Sequence, residues 1–405
     1  MNVRRSAAAL AAIAVLGGAA PAVAAPAPTA SPKPALPSGL YGRTDPTYDG
    51  VFRQSLALLA QHTVGVRPAV KAVDWLTGQQ CANGAFAAYR ALPGHACDAK
   101  VMVDTNSTAV AVQALAALGG HGGTTGKAVT WLKSVQNKDG GWGYNPGGAS
   151  DANSTSVVVG ALAAVGEKPA SVVKDGKSPL DALVKLALPC SGDGSGAFAF
   201  QPDKKGRLAP NADATAAGVV GALGLGLAPR AAGTAAEAHC TGSGGPAPAR
   251  AAANGAAYLA QATARTGHLT STMPGATDQP DVGNTADAVV ALAAQGGAAQ
   301  ARTPLQWLEK HAGSWAVQSG PAAWAQLIFA AHATGTDPRN FGGLDLVGKL
   351  SATGPAPLAV RATGAADARQ KDDSGHGTWW FVGACLVAGI GVGFLLSGRS
   401  KKKQP

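Results

Sequence analysis

The sequence predicts an all-α domain built from repeated helical hairpins, followed by one C-terminal transmembrane helix. Three observations carry that expectation. An aromatic-Leu pair leading through Gln to Gly-x-aromatic recurs along the chain. Each recurrence leads into a polar Asp-x-x-x-Thr start and a Pro-free, Ala/Val/Leu-rich run that ends in Gly. Near the C-terminus, Trp379–Ser397 carries no charge.

Met1–Ala24 has the layout of a secretory signal: Arg4-Arg5, an apolar run from Ala7 to Ala20, then the small residues Ala22-Val23-Ala24. Residues 25–40, rich in Pro, Ala and Ser, read as a linker. The folded unit is expected over 41–350, with a flexible Ala/Gly/Pro-rich stalk at 351–377. The membrane helix is placed at 378–398, with Trp379, Trp380 and Phe381 in the interface belt. The basic tail 399–405, with Arg399, Lys401, Lys402 and Lys403, then lies on the cytoplasmic side and the rest of the chain outside. The expected location is the cell membrane, single-pass, with an extracellular N-terminal domain.

The repeat is clearest when Trp75-Leu76 is set against Trp131-Leu132. The first leads through Gln80 to Gly84 and Phe86, the second through Gln136 to Gly140 and Trp142, at identical spacing. Tyr258-Leu259 leads to Gly267 and Leu269 at the same distance, and Trp307-Leu308 to Gly313 and Trp315 three residues sooner. A worn copy ends at Gly196 and Phe198. Asp104, Asp151, Asn211 and Asp281 open the apolar runs Ala109–Gly119, Ser156–Gly166, Ala216–Gly226 and Ala286–Gly296. Polar start, apolar body and terminal Gly are the marks of a helix. Near-uniform apolarity predicts inner helices buried on most sides, whereas Ala128–Gln136, with Lys133 and Gln136 beside Trp131, Leu132 and Val135, reads as an outer one. Val51–Ala60 and Pro321–Gly335 supply further helices. About six hairpins fit, and they could close into a ring or stack as an open solenoid.

Five cysteines suit an exported domain. Cys81–Cys97 and Cys190–Cys240 are the favoured disulfides, as local staples, and Cys385 falls in the membrane span. No Cys-x-x-Cys pair occurs and no His stands at ligand spacing, so no metal site is assigned. Net charge is +10, but without Arg4, Arg5 and the four basic tail residues 27 basic groups face 23 acidic ones. With no basic cluster interleaved with aromatics, nucleic-acid binding has no support.

The stretch Lys127–Gly143, with its Gln-x3-Gly-x-Trp core, resembles the repeat of the squalene cyclase and protein prenyltransferase superfamily. The resemblance covers about residues 50–350 and implies an α/α toroid with a central cavity. Such cyclases protonate a polyene with an Asp-x-Asp-Asp cluster; the nearest segment here, Asn211-Ala212-Asp213, holds one carboxylate. Neither that cluster nor an Asp-Asp-x-x-Asp pattern occurs in the folded unit, and aromatics are only 5% of the chain. No catalytic residue is therefore assigned. Asp287 with His268 or His332 could offer two ligands for a prenyltransferase-like zinc, but the cysteines are better explained as disulfides. The chain is also similar to the helical domain of transcobalamin and intrinsic factor, which implies a cobalamin-like ligand; their smaller β domain has no counterpart here.

The Asp-x-x-x-Thr starts have two readings. Asp104, Asp151 and Asp281 suit helix caps. If the inner helices point the same way, Asp104, Asn106, Asp151, Asn153, Asp213, Asp281 and Asp287 also gather at one mouth, where Trp142, Tyr144 and Trp324 could add stacking surface. The expectation is a tethered binding protein that recognises a solute or a second envelope protein there. An isoprenoid- or glycan-directed enzyme and a structural adaptor are the alternatives.

Overall fold

The computed structural model describes residues 36–233, 239–242, 247–271 and 278–359. The signal, the membrane helix, Cys385 and the basic tail lie outside the described residues. Among the described residues no helix is long and apolar enough to cross a membrane.

The described chain is mostly helical. In order come α1 (Gly50–Thr63), α2 (Val70–Gly78), α3 (Thr105–Leu118), α4 (Gly122–Ser134), α5 (Ala152–Ala164) and α6 (Pro179–Leu186). They are followed by α7 (Ala212–Ala222), α8 (Ala247–Ala264), α9 (Val282–Gly296), α10 (Arg302–Ser319), α11 (Pro321–Thr334) and α12 (Leu346–Ser351). A short antiparallel pair, β1 (Leu269–Ser271) with β2 (Gln279–Asp281), precedes α9 and was not expected.

The odd-numbered helices form a closed cycle of neighbours. α1 packs on α3, α3 on α5, α5 on α7, α7 on α9, α9 on α11, and α11 returns to α1. The even-numbered helices pack outside this cycle, α2 on α1, α4 on α3 and α12 on α11, with α6, α8 and α10 each resting on two inner helices. The composition explains the separation. Buried inner positions such as Ala109, Ala111, Ala114, Ala161, Ala288 and Ala291 are small, so neighbouring inner helices approach closely. Outer helices bury one stripe only, as α10 does with Pro304, Leu308, Ala312 and Ala316.

Four of the six inner helices, α3, α5, α7 and α9, are joined to the preceding loop by the same contact. The backbone N–H of the loop aromatic, or of Leu269 in its place, donates to the hydroxyl of the Thr one turn into the next inner helix. The pairs are Phe86 to Thr108 at 2.9 Å, Trp142 to Thr155 at 3.1 Å, Phe198 to Thr215 at 2.9 Å and Leu269 to Thr285 at 2.9 Å. All four threonines are fully buried. The repeated Gln does the matching work outside: Gln80 Nε2 donates to the carbonyls of Gly84 and Thr124, and Gln136 Nε2 to those of Gly140 and Val172. Only glycine fits at 140, where φ is +90° and a Cβ would stand 2.3 Å from the Ser178 carbonyl oxygen.

Both expected disulfides are present, Cys81–Cys97 and Cys190–Cys240. Three expectations need correction. Gly313 and Trp315 are not a loop but lie inside α10, because a lone Gly between Ala312 and Ala316 leaves the buried four-residue spacing intact. The run ending at Gly226 leaves the helix at Ala222, where Gly224 turns with φ +73°. The stalk's first residues, Ser351–Leu358, belong to the body: Leu358 N–H donates to the Arg67 carbonyl, and Tyr41 Oη to that of Pro355.

The threonine contact yields a test. Thr155→Val keeps the shape but leaves the buried Trp142 N–H without its acceptor, which should cost about 1–3 kcal/mol. Thermal or urea unfolding should register that loss, whereas Thr130→Val on the exposed face of α4 should stay within about 0.5 kcal/mol. Equal stability of the two variants would remove the threonine's structural role.

Candidate functional site

The inner helices run in the same direction. Asn153, second residue of α5, donates to Asp213, second residue of α7, at 2.6 Å. Gln326, sixth residue of α11, donates to Asp287, sixth residue of α9, at 3.1 Å. Contacts between equal depths require parallel neighbours, so the helix starts share one end of the ring.

At that end the carboxylate starts act as caps. Asp104 Oδ1 accepts from Ser107 N–H at 2.6 Å, Asp151 Oδ1 from Ser154 N–H at 2.7 Å, and Asp281 Oδ1 from Asn284 N–H at 3.2 Å. Asn211 does the same toward Ala214 N–H at 2.8 Å. Burial raises the Asp104 and Asp151 carboxyls above the usual range, and the N–H donors hold them partly down. These four residues do not line the central cavity.

The cavity, of about 210 Å³, is lined from all six inner helices. Its polar wall is Asn106, Gln113, Asn153, Ser156, Asp213, Asp287 and Gln326. Apolar groups make up most of the rest, including Phe52, Val157, Val220, Val290 and Phe329. One end is closed by the segment after α7. Leu225, Gly226 and Leu227 reach the wall, Leu227 N–H donates to Gln113 Oε1 at 2.9 Å, and a Cβ on Gly160 would meet Gly226 Cα at 2.8 Å.

The two cavity carboxylates differ. Asp213 is raised by burial, held down by the Asn153 amide, and raised slightly by Asp281. Asp287 is enclosed more deeply. Burial first, then the charges of Asp213 and Asp281, lift it to about 7, and its bonds from Gln326 offset only part of that rise. Unpaired acceptors accompany them. Asn153 must turn its Nδ2 to Asp213, which leaves its Oδ1 buried without a partner; Asn106 Oδ1 and Ser156 Oγ are likewise buried and unpartnered.

Of the expected site residues, the structure therefore brings Asn106, Asn153, Asp213 and Asp287 together. The aromatic candidates stand elsewhere. Trp142 is buried in its hairpin, its Nε1 donating to the Leu132 carbonyl at 2.7 Å, and Trp324 is in the core. Tyr144 is exposed near Asp104, where burial and that carboxyl raise its phenol. His268 stacks on Trp307 at 4.5 Å, and His332 is lowered by burial and by Arg230; neither histidine lines the cavity with Asp287. Gln326, Gln113, Phe52, Phe329 and the Leu225–Leu227 closure were not anticipated. Counting from the caps would have found Gln326, which sits at the depth of Asp287.

Asp287 sets a pH dependence. Its folded pKa lies above its unfolded value, so protonation favours the native state. Stability should be full below about pH 4, fall as pH rises toward 7, and stay reduced above that, by at most about 4 kcal/mol. Asp287→Asn should be more stable than the parent at pH 8 and indistinguishable at pH 4, as read from urea midpoints. A parent and variant that track each other across that range would place Asp287 in water.

No family model matches the chain, and no curated protein does. Among solved structures, a crystal structure of a protein from Actinoplanes aligns with 16% identity and a TM-score of 0.47, covering 74% of this chain and 94% of that one. A sugar epimerase from a ruminal bacterium aligns with 13% identity and a TM-score of 0.40, covering 71% of this chain and 79% of that one.

Proposed function

We propose that the chain is a membrane-tethered extracytoplasmic binding protein, an α/α toroid of the squalene cyclase and prenyltransferase repeat type that holds a small solute on the axis of its ring. The observation that carries this reading is the axial cavity. All six inner helices contribute to its wall, and buried acceptors in that wall have no partner among the described residues. A buried polar atom left unpaired costs about 1–3 kcal/mol, and a ligand bringing donors would recover it. At about 210 Å³ the cavity lies below the roughly 300–1,000 Å³ typical of drug-sized ligands. A corrinoid would have to rest on the rim, outside this cavity, and would contact the capped helix starts there.

One observation favours an enzyme. Two carboxyls in one cavity, with Asp287 lifted to about 7, can divide acid and base roles. Against it stand the cavity's size and its two aromatic side chains, Phe52 and Phe329, which are a poor lining for a long polyene carbocation. Turnover of an added isoprenoid that disappears in Asp287→Asn would favour this reading over the first.

The tether and the solute are tested on the full-length chain. Expressed in its host, it should fractionate with membranes and resist carbonate extraction, and deleting 378–405 should release it into the medium. Native mass spectrometry of the detergent-extracted protein should show one small molecule retained per chain and lost in Ala217→Phe, which fills the cavity. A soluble full-length chain refutes the tether; an identical mass for parent and variant, after correction for the substitution, refutes the axial solute.

A further inference from the structure

We propose that the axial cavity takes a compact organic ammonium ion, a protonated amine on a hydrocarbon body about the size of one six-membered ring. This rests on the reading of the cavity as a ligand site and adds the ligand's charge and size.

The charge follows from the wall. Asp213 and Asp287 both line the cavity, and among the described residues no Lys, Arg or His does. Asp213 raises the cost of ionising Asp287, and the described residues offer the pair only neutral amides, from Asn153 and Gln326. The remaining polar atoms also ask for donors. Asn153 Oδ1 is fixed as an acceptor by its partner's bond to Asp213, and Asn106 Oδ1 is buried without a donor. An anion would meet two carboxylates, and a neutral solute would leave their repulsion in place. An ammonium group supplies up to three N–H donors and a compensating charge together.

The hydrocarbon body follows from the rest of the wall. Val157, Val220 and Val290 present only methyl groups, and Phe52 and Phe329 can face a cation with their rings. A bare metal ion would leave that surface uncovered, and among the described residues no cluster of three His, Cys, Asp or Glu side chains gathers. Size sets the upper bound. A dry cavity of about 150 Å³ admits benzene, so about 210 Å³ admits one such ring with its ammonium group and little more.

The groups acting on Asp287 are Asp213 on α7 and Asp281 at the start of α9. The facing group on α11 is the neutral amide of Gln326, and neither α8 nor α10 contributes a charge to it.

The test uses the full-length protein in detergent with four probes, read by calorimetry and thermal shift: cyclohexylammonium, cyclohexanol, cyclohexanecarboxylate and calcium chloride. Cyclohexylammonium should bind saturably at pH 8, more than tenfold more tightly than the other three. Its affinity should fall at least tenfold in Asp287→Asn and in Asp213→Asn. It should also fall about thirtyfold from pH 8 to pH 5.5, following the ionised fraction of Asp287. Equal binding of cyclohexanol, or binding of the carboxylate or calcium alone, overturns the ammonium assignment while leaving a ligand site if Ala217→Phe abolishes it. Affinity for cyclohexylammonium unchanged in both Asp variants also overturns it. Binding of none of the four overturns the assignment; the ligand-site reading falls with it only if the native mass of the parent also shows no retained molecule.

Discussion

The joint between the loop and the inner helix that follows it is a buried threonine hydroxyl in four of the six inner helices, α3, α5, α7 and α9, and that part of the ring depends on it. A loop that enters the interior brings backbone N–H groups that no helix can satisfy. Thr108, Thr155, Thr215 and Thr285 each accept one such N–H from the preceding loop. Three of them also donate to the carbonyl of their own cap residue, Asp104, Asn211 or Asp281. The cap and the loop are thereby locked to one turn of helix. Serine would be a looser substitute, because threonine's branched Cβ restricts the rotamer that aims the hydroxyl.

That joint fixes depth, and depth makes the axial cavity. Where neighbouring inner helices start at loops clamped one turn in, as α5 and α7 do, equal positions come level and Asn153 meets Asp213. α11 lacks the threonine, yet Gln326 still meets Asp287 at the same depth. The Ala-rich inner faces bring the helices close, so the axis is narrow. The segment after Ala222 then occupies part of it, held by Gln113 and by the Gly160–Gly226 approach. Small residues between helices thus leave a small chamber rather than a wide bowl.

Much of this was legible. The helix starts at Asp104, Asp151, Asn211 and Asp281 and the loop glycines follow from local chemistry, which needs only near neighbours in sequence, and the two disulfides follow from the export reading and from pairing each cysteine with the next along the chain. Closure of the ring is a tertiary matter: nothing between Gly50 and Thr63 announces that α1 meets α11. The chamber's floor was hidden for the same reason: residues 224–226 read as the end of the inner-helix run, and the Gly- and Ala-rich residues after them look like any surface loop. Gly313 and Trp315 misled because the motif's letters were present while the helix-stopping context was not. Trp142 and Trp324 were read as stacking surface, yet a large ring in an Ala-rich protein goes first to filling space between elements.

The same depth rule separates two roles that the sequence alone could not. Asp104, Asp151 and Asp281 stand before their helices, where backbone N–H groups point at them and the helix dipole favours a negative charge. Asp213, in the first turn of α7, and Asp287, six residues into α9, stand beyond the cap position, and their carboxyls turn to the axis and to side-chain amides rather than to the backbone. A carboxyl inside a helix must find side-chain partners or a ligand, and here it finds one amide each. The capping residues are therefore accounted for by folding. The interior pair is not, because Ala at either position would serve an Ala-rich ring better. On the reading proposed above, a ligand from outside the chain offsets the cost of holding two acids in the chamber, one of which Asp213 makes harder to ionise.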